Sequence, residues 1–154
     1  MRELFAAPRH PIFTHFTIAL TTSSLGFDVA GRLLDGSSLS AAGWWTLATA
    51  VPVTLGTLIS GLTSRVRLPM EEGTARTWLR AHMALGPTFF GGLVALAIWR
   101  AVLWADGALP RWNYLAAMAA LLLAMTVQGY LGGELVYRFG AEVRGNYPRL
   151  PSAR

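Results

Sequence analysis

WNYLAAMAALLLAMTVQGYLGGELVY, residues 112–137, decides the fold class. Its one charged residue, Glu134, stands a turn from the C-terminal end. A helix needs roughly 20 apolar residues to cross the hydrocarbon core, where no backbone amide can go unpaired. This stretch is long enough and apolar enough to do so. Working back toward the N-terminus, three more stretches have the same character, at about 79–104, 41–63 and 12–34, the last with a polar end from Asp28 onward. Pro52 and Pro87 fall inside the second and third and should kink them, which neighbouring helices tolerate in a membrane. The links 34–40 and 105–111 are too short to join anything but antiparallel neighbours. The expected fold is therefore an all-α membrane protein, an up-down four-helix transmembrane bundle over residues 1–138 with a tail at 139–154.

Composition agrees. Of 154 residues only 14% are charged, against about 25% in a soluble domain, and that deficit leaves the long uncharged runs. With no Cys, disulfides, thiolate metal sites and Cys-ligated iron–sulfur clusters are excluded. Every positive charge is an Arg, and the net charge of +5 sits at helix ends rather than along one exposed face. That pattern speaks for topology and against nucleic acid. Ten arginines (2, 9, 65, 67, 76, 80, 138, 144, 149 and 154) share one side, and Arg32, Arg100 and Arg111 share the other. The positive-inside rule then puts both termini in the cytoplasm. Trp44, Trp45, Trp99, Trp104 and Trp112 form an aromatic belt at the opposite interface. Arg2, Arg9 and the small-residue run Ser38-Leu39-Ser40 resemble parts of a cleavable leader, but the apolar stretch exceeds the usual 7–15 residues. The first helix is expected to stay in the protein. The tail, with Gly145, Pro148 and Pro151, should be extended.

Thr14, Thr17, Thr21, Ser24 and Asp28 make one polar stripe along the first helix, leaving Phe16, Leu20 and Phe27 for lipid. Thr46, Thr49, Gly56 and Ser60 do the same on the second, and Gly129 and Gly133 form a G-x-x-x-G pair on the fourth. Such residues mark helix–helix seams in membranes. Asp28 and Arg32 are spaced as an i,i+4 pair at the far interface.

Ionisable groups inside a span are costly and so are candidates for function. His10, His15, His82 and Glu134 come from three helices and fall in one leaflet. Neutral imidazole is a strong ligand for haem iron, zinc or copper, and two rings on facing helices can clamp a haem. His15 and His82 are the expected ligands, for haem b or for a metal ion, with His10 and Glu134 in support. Gly86, one turn deeper than His82, would leave room for a macrocycle, and Tyr130 could stack on a cofactor or quinone. A structural account competes at each position: a histidine near the interface can bond Thr14 or Thr17, and Glu134 can pair with Arg138. No phosphate-binding glycine loop, nucleophile elbow or zincin signature is present, so a stand-alone enzyme is not expected.

The run His10-Pro11-Ile12-Phe13-Thr14-His15-Phe16-Thr17-Ile18-Ala19-Leu20, then Phe27-Asp28, Arg80-Ala81-His82-Met83 and Gly132-Gly133-Glu134-Leu135-Val136-Tyr137, resembles a bacterial membrane family known as domain of unknown function 2231. The family pattern has Pro at Thr17, and often Lys or Glu at Glu134. The resemblance implies a four-helix domain in the bacterial inner membrane. It also implies a redox setting, since members of this kind occur joined to Rieske-type domains or beside cytochrome components. Likeness to the cytochrome b561 architecture is analogy, because that fold uses four haem-ligating histidines and this chain has three. The expectation is a redox-associated protein holding one haem b between helices one and three, passing electrons to a membrane redox subunit, a Rieske or a cytochrome protein. The alternative is a non-catalytic subunit of a larger respiratory or photosynthetic complex.

Overall fold

A computed structural model describes residues 9–65 and 73–141; the tail after residue 141 and five of the ten arginines on the expected cytoplasmic side lie outside the described residues. The chain forms α1 (Arg9–Leu33), α2 (Ser37–Arg65), α3 (Thr74–Ala105) and α4 (Trp112–Tyr137). Three of them begin three to five residues before the apolar stretches that announce them, because polar residues continue the helix past the hydrocarbon. For α1 this brings His10 into the first turn. Gly107 and Gly140, at φ 66° and 67°, supply the left-handed residues after α3 and α4. There Ala108 N–H reaches Leu103 O at 2.8 Å and Ala141 N–H reaches Leu135 O at 2.9 Å, satisfying carbonyls that the helix ends leave open.

Each helix packs on its two neighbours in the order α1–α2–α3–α4–α1, and the start of α1, the end of α2, the start of α3 and the end of α4 meet at one end. The ring is therefore up-down-up-down. At its centre lie Leu47, Leu93, Leu103, Tyr114 and Met118. The α1–α2 seam is the most extensive, and its chemistry explains why. Thr17, Thr21, Ser24 and Asp28 of the α1 stripe are all buried. Thr17 bonds Thr57 at 2.8 Å and the Ser24 hydroxyl donates to Gly43 O at 2.9 Å. A Cβ at Gly31 would stand 3.0 Å from Ser40 N, and one at Gly56 3.1 Å from Phe13 Cε1, so glycine sets how closely the two backbones approach.

Several expectations about faces are corrected. Leu20 is partly buried against the core, whereas Phe16 and Phe27 are exposed. On α2 Thr49 turns outward and donates to Trp45 O, and Thr54 is the buried hydroxyl. Gly129 has open space before it and Gly133 meets only Tyr137, so this pair makes no tight crossing. Asp28 does not pair with Arg32, which is exposed. Its partner is Arg100 of α3, with Nε to Oδ2 and Nη2 to Oδ1 both at 3.1 Å and the whole arginine buried. Arg100 Nη2 also donates to Ser40 O and Oγ at 2.8 Å, and its guanidinium lies over the Trp104 ring. Burying a charge is tolerable only with its counter-charge and hydrogen bonds in place, and a fork-shaped guanidinium supplies both.

The segments 37–63, 74–105 and 112–137 are long and apolar enough to cross a membrane. The hydroxyls, histidines and Asp28 of α1 dilute its hydropathy below that mark.

Candidate functional site

At the end of the bundle opposite the Asp28–Arg100 pair, the helices stand apart around a largely apolar cleft of about 380 Å³. Exposed Ile18, Leu62 and Tyr137 stand at its rim, so it is open to the side. Its polar lining comes from His10, His82, Gln128 and the hydroxyls of Thr14, Thr17, Thr54 and Thr57, with His15 at the edge.

His10 and His82 meet edge to face, ring centroids 6.3 Å apart with planes at 86°. His10 Nδ1 lies 3.0 Å from Thr57 O and 3.2 Å from Ser60 Oγ. Ser60 spends its own proton on Thr57 O, so both neighbours of Nδ1 are acceptors. Nδ1 is therefore the nitrogen that donates, which in the Nδ1–H tautomer leaves a lone pair at Nε2. His82 follows the same logic, with Nδ1–H donated to Gln128 O at 3.2 Å. The Gln128 amide nitrogen donates to His82 O at 3.0 Å and approaches His82 Nε2 at 3.4 Å. Glycines cradle both imidazoles: a Cβ at Gly61 would lie 3.0 Å from His10 Cε1, and one at Gly132 3.1 Å from His82 Cε1.

His15 and His82 both line the cleft, His15 from its outer edge. His15 is exposed at the rim, with Nδ1 tied back to Pro11 O at 2.6 Å. His10 takes the inward position instead. Gly86 makes room for Gln128, whose Nε2 would stand 3.4 Å from a Cβ there, rather than for a macrocycle. Tyr130 is exposed and leans on Trp78 at 5.9 Å, away from the cleft lining. Glu134 pairs with Arg138 at 3.5 Å, the structural role open to it from the start.

Residues 6–145 match the model of one family, described as predicted membrane protein (DUF2231). The chain belongs to that family. No curated protein and no solved structure matches it. This DUF2231 protein is thus a membrane protein, and what its cleft does must come from the cleft's own chemistry.

A haem b or metal ion held by His15 and His82 does not fit that chemistry. His15 stands at the exposed rim with one nitrogen tied to Pro11 O, and His82 has its remaining nitrogen approached by the Gln128 amide at 3.4 Å. Among the described residues no group of three or more His, Asp or Glu side chains is placed to hold a metal ion. What does fit is a flat or elongated apolar molecule with a small polar head. Pockets for such ligands typically run from about 300 to 1,000 Å³, with a few polar groups fixing orientation.

Sequence reasoning missed Gln128 and ranked His15 above His10, the ring that meets His82. A signal for His10 was present. It lies 4 and 7 positions before Thr14 and Thr17, in register with the buried stripe, whereas His15 is one position out of register. Gln128 is an amide deep in an otherwise apolar span, where a polar side chain signals an interhelical bond.

Proposed function

We propose that this DUF2231 protein is a redox-associated integral membrane protein, not a stand-alone enzyme, that holds a quinone-class molecule in the His10–His82–Gln128 cleft and serves a larger electron-transfer chain. The observation that carries the proposal is the cleft itself: an apolar slot, open at the side, with two imidazoles and an amide at one end. A membrane-soluble redox carrier has that shape and polarity. The resemblance of the sequence to proteins joined to Rieske-type domains supports the redox setting, and a Rieske or cytochrome protein is the partner class it suggests.

In this proposal all four helices cross a bacterial inner membrane. The hydroxyls and Asp28 that lower the apolarity of α1 are turned into the bundle, so its outer surface of Ile12, Phe16 and Phe27 suits lipid. Both termini are cytoplasmic. With Arg100 buried in an ion pair, only Arg32 and Arg111 remain at the opposite interface, which sharpens the arginine asymmetry.

The test is the small-molecule content of protein purified in mild detergent from quinone-containing membranes. Mass spectrometry of the extract is expected to show quinone near one per chain, and Gly86→Leu, which fills the slot beside Gln128, to lose it. A Soret and α-band in the reduced-minus-oxidised spectrum, without quinone, would restore haem in its place. A preparation with neither, but with a stoichiometric protein partner, would leave a structural-subunit role.

A further inference from the structure

The head of the cleft is made almost entirely of hydrogen-bond acceptors. Thr14 donates to His10 O at 2.8 Å, Thr54 to Ala50 O at 2.7 Å and Thr57 to Val53 O at 3.2 Å. Since the Thr57 proton is committed, Thr17 is the donor in the 2.8 Å bond between them. The Nδ1–H groups of His10, His15 and His82 are all spent on helix carbonyls. Both amide hydrogens of Gln128 are directed at His82, one to its carbonyl and one to Nε2.

What is left over toward the cleft head is the Nε2 lone pair of His10, since that ring makes its bonds through Nδ1. Gln128 Oε1 also lacks a hydrogen-bond partner among the described residues, but it has almost no accessible surface, so a ligand does not reach it. The amide cannot be turned to present a donor instead, because Oε1 would then face the His82 carbonyl oxygen, acceptor against acceptor. Among the described side chains at the cleft head no donor is left free to answer His10 Nε2.

We infer that the cleft selects the reduced, hydroxyl-bearing form of its quinone-class ligand, a quinol whose phenolic O–H donates to His10 Nε2. This rests on the quinone-class reading above and adds the redox state that is recognised. A quinone presents only carbonyl oxygens, which would meet lone pairs with lone pairs. A quinol presents the same ring with the donor the site lacks.

The experiment is equilibrium binding to the full chain in lipid nanodiscs under anaerobic conditions. Four probes are compared: decylubiquinol, decylubiquinone, the dimethyl ether of decylubiquinol and dioleoylglycerol. The quinol is expected to bind at least about tenfold more tightly than the quinone or the ether, both of which lack the donor. Equal affinity for quinol and quinone overturns the inference and leaves the quinone-class proposal standing. An ether that binds like the quinol overturns it too. Dioleoylglycerol binding as well as the quinol assigns the donor-seeking head to lipid alcohols and overturns it. If no quinone probe of either form binds, both proposals fall.

Discussion

Asp28 and Arg100 show what one residue pair contributes here. The carboxylate and guanidinium are buried together, 72 positions apart, with Ser40 adding two further acceptors for Nη2. Removing one partner strands a buried charge, a loss of about 3–5 kcal/mol, whereas replacing both with apolar residues of similar size is often close to neutral. Asp28→Leu and Arg100→Leu alone are each expected to lower the melting temperature of the detergent-purified protein sharply, and the double variant to recover most of the loss. A double variant as unstable as the worse single one would mean that the pair does more than neutralise itself. The partner was not legible in the sequence because Arg32, one turn from Asp28, offered a local pairing. Only the closure of the bundle, which sets α3 diagonally across from α1 with Arg100 reaching over the core, makes Arg100 the nearer one. The choice between His10 and His15 is of the same kind. Five positions on a helix separate them by well over a quarter turn, so the rotation of α1 against α2 decides which ring turns inward to meet His82.

Between elements, the α1–α2 seam was the most legible part of the fold, since hydroxyls and small residues at helical spacing mark a contact face on any membrane helix. Its close approach predicts a sharp contrast between two glycines of that hairpin. A methyl added at Gly43 meets the Asp28 carboxyl, with Cγ 2.8 Å away and backbone N 3.3 Å away. Gly43→Ala is expected to cost about 1–3 kcal/mol by overpacking, read as a lower melting temperature. At Gly26 an added methyl has nothing within 4 Å, and Gly26→Ala should leave the melting temperature unchanged or higher. If Gly26→Ala destabilised as much as Gly43→Ala, the seam would lie on another face of α1. The G-x-x-x-G pair on α4 misled for a physical reason. Small residues permit close packing but do not compel it, and Gly132, between them, is the one pressed against a neighbour, His82.

For the whole molecule, the proposal of four spans and a cytoplasmic tail is easy to test because the sequence has no cysteine. Ser38 and Asp106 lie in exposed positions at one end of the bundle, Thr74 at the other. In intact cells, an impermeant maleimide is expected to label Ser38→Cys and Asp106→Cys directly, and Thr74→Cys only after permeabilisation. Labelling of Thr74→Cys alone would invert the orientation, and labelling of Ser38→Cys together with Thr74→Cys would remove α1 from the membrane. The bundle was readable from composition because a span must be apolar along its length. The ligand chemistry was not, because it depends on where each proton is already committed, and only the packed helices settle that.

The acceptor-lined head of the cleft is the claim on which the functional account stands, and nitrogen-15 NMR of histidine-labelled protein tests it most directly. Three histidines give three resolvable ring systems whose nitrogen shifts report the tautomer. All three are expected to carry hydrogen on Nδ1, and decylubiquinol should shift the Nε2 signal of His10 while leaving that of His15 in place. A His10 ring protonated on Nε2, or a ligand-induced shift confined to His15, would contradict the account.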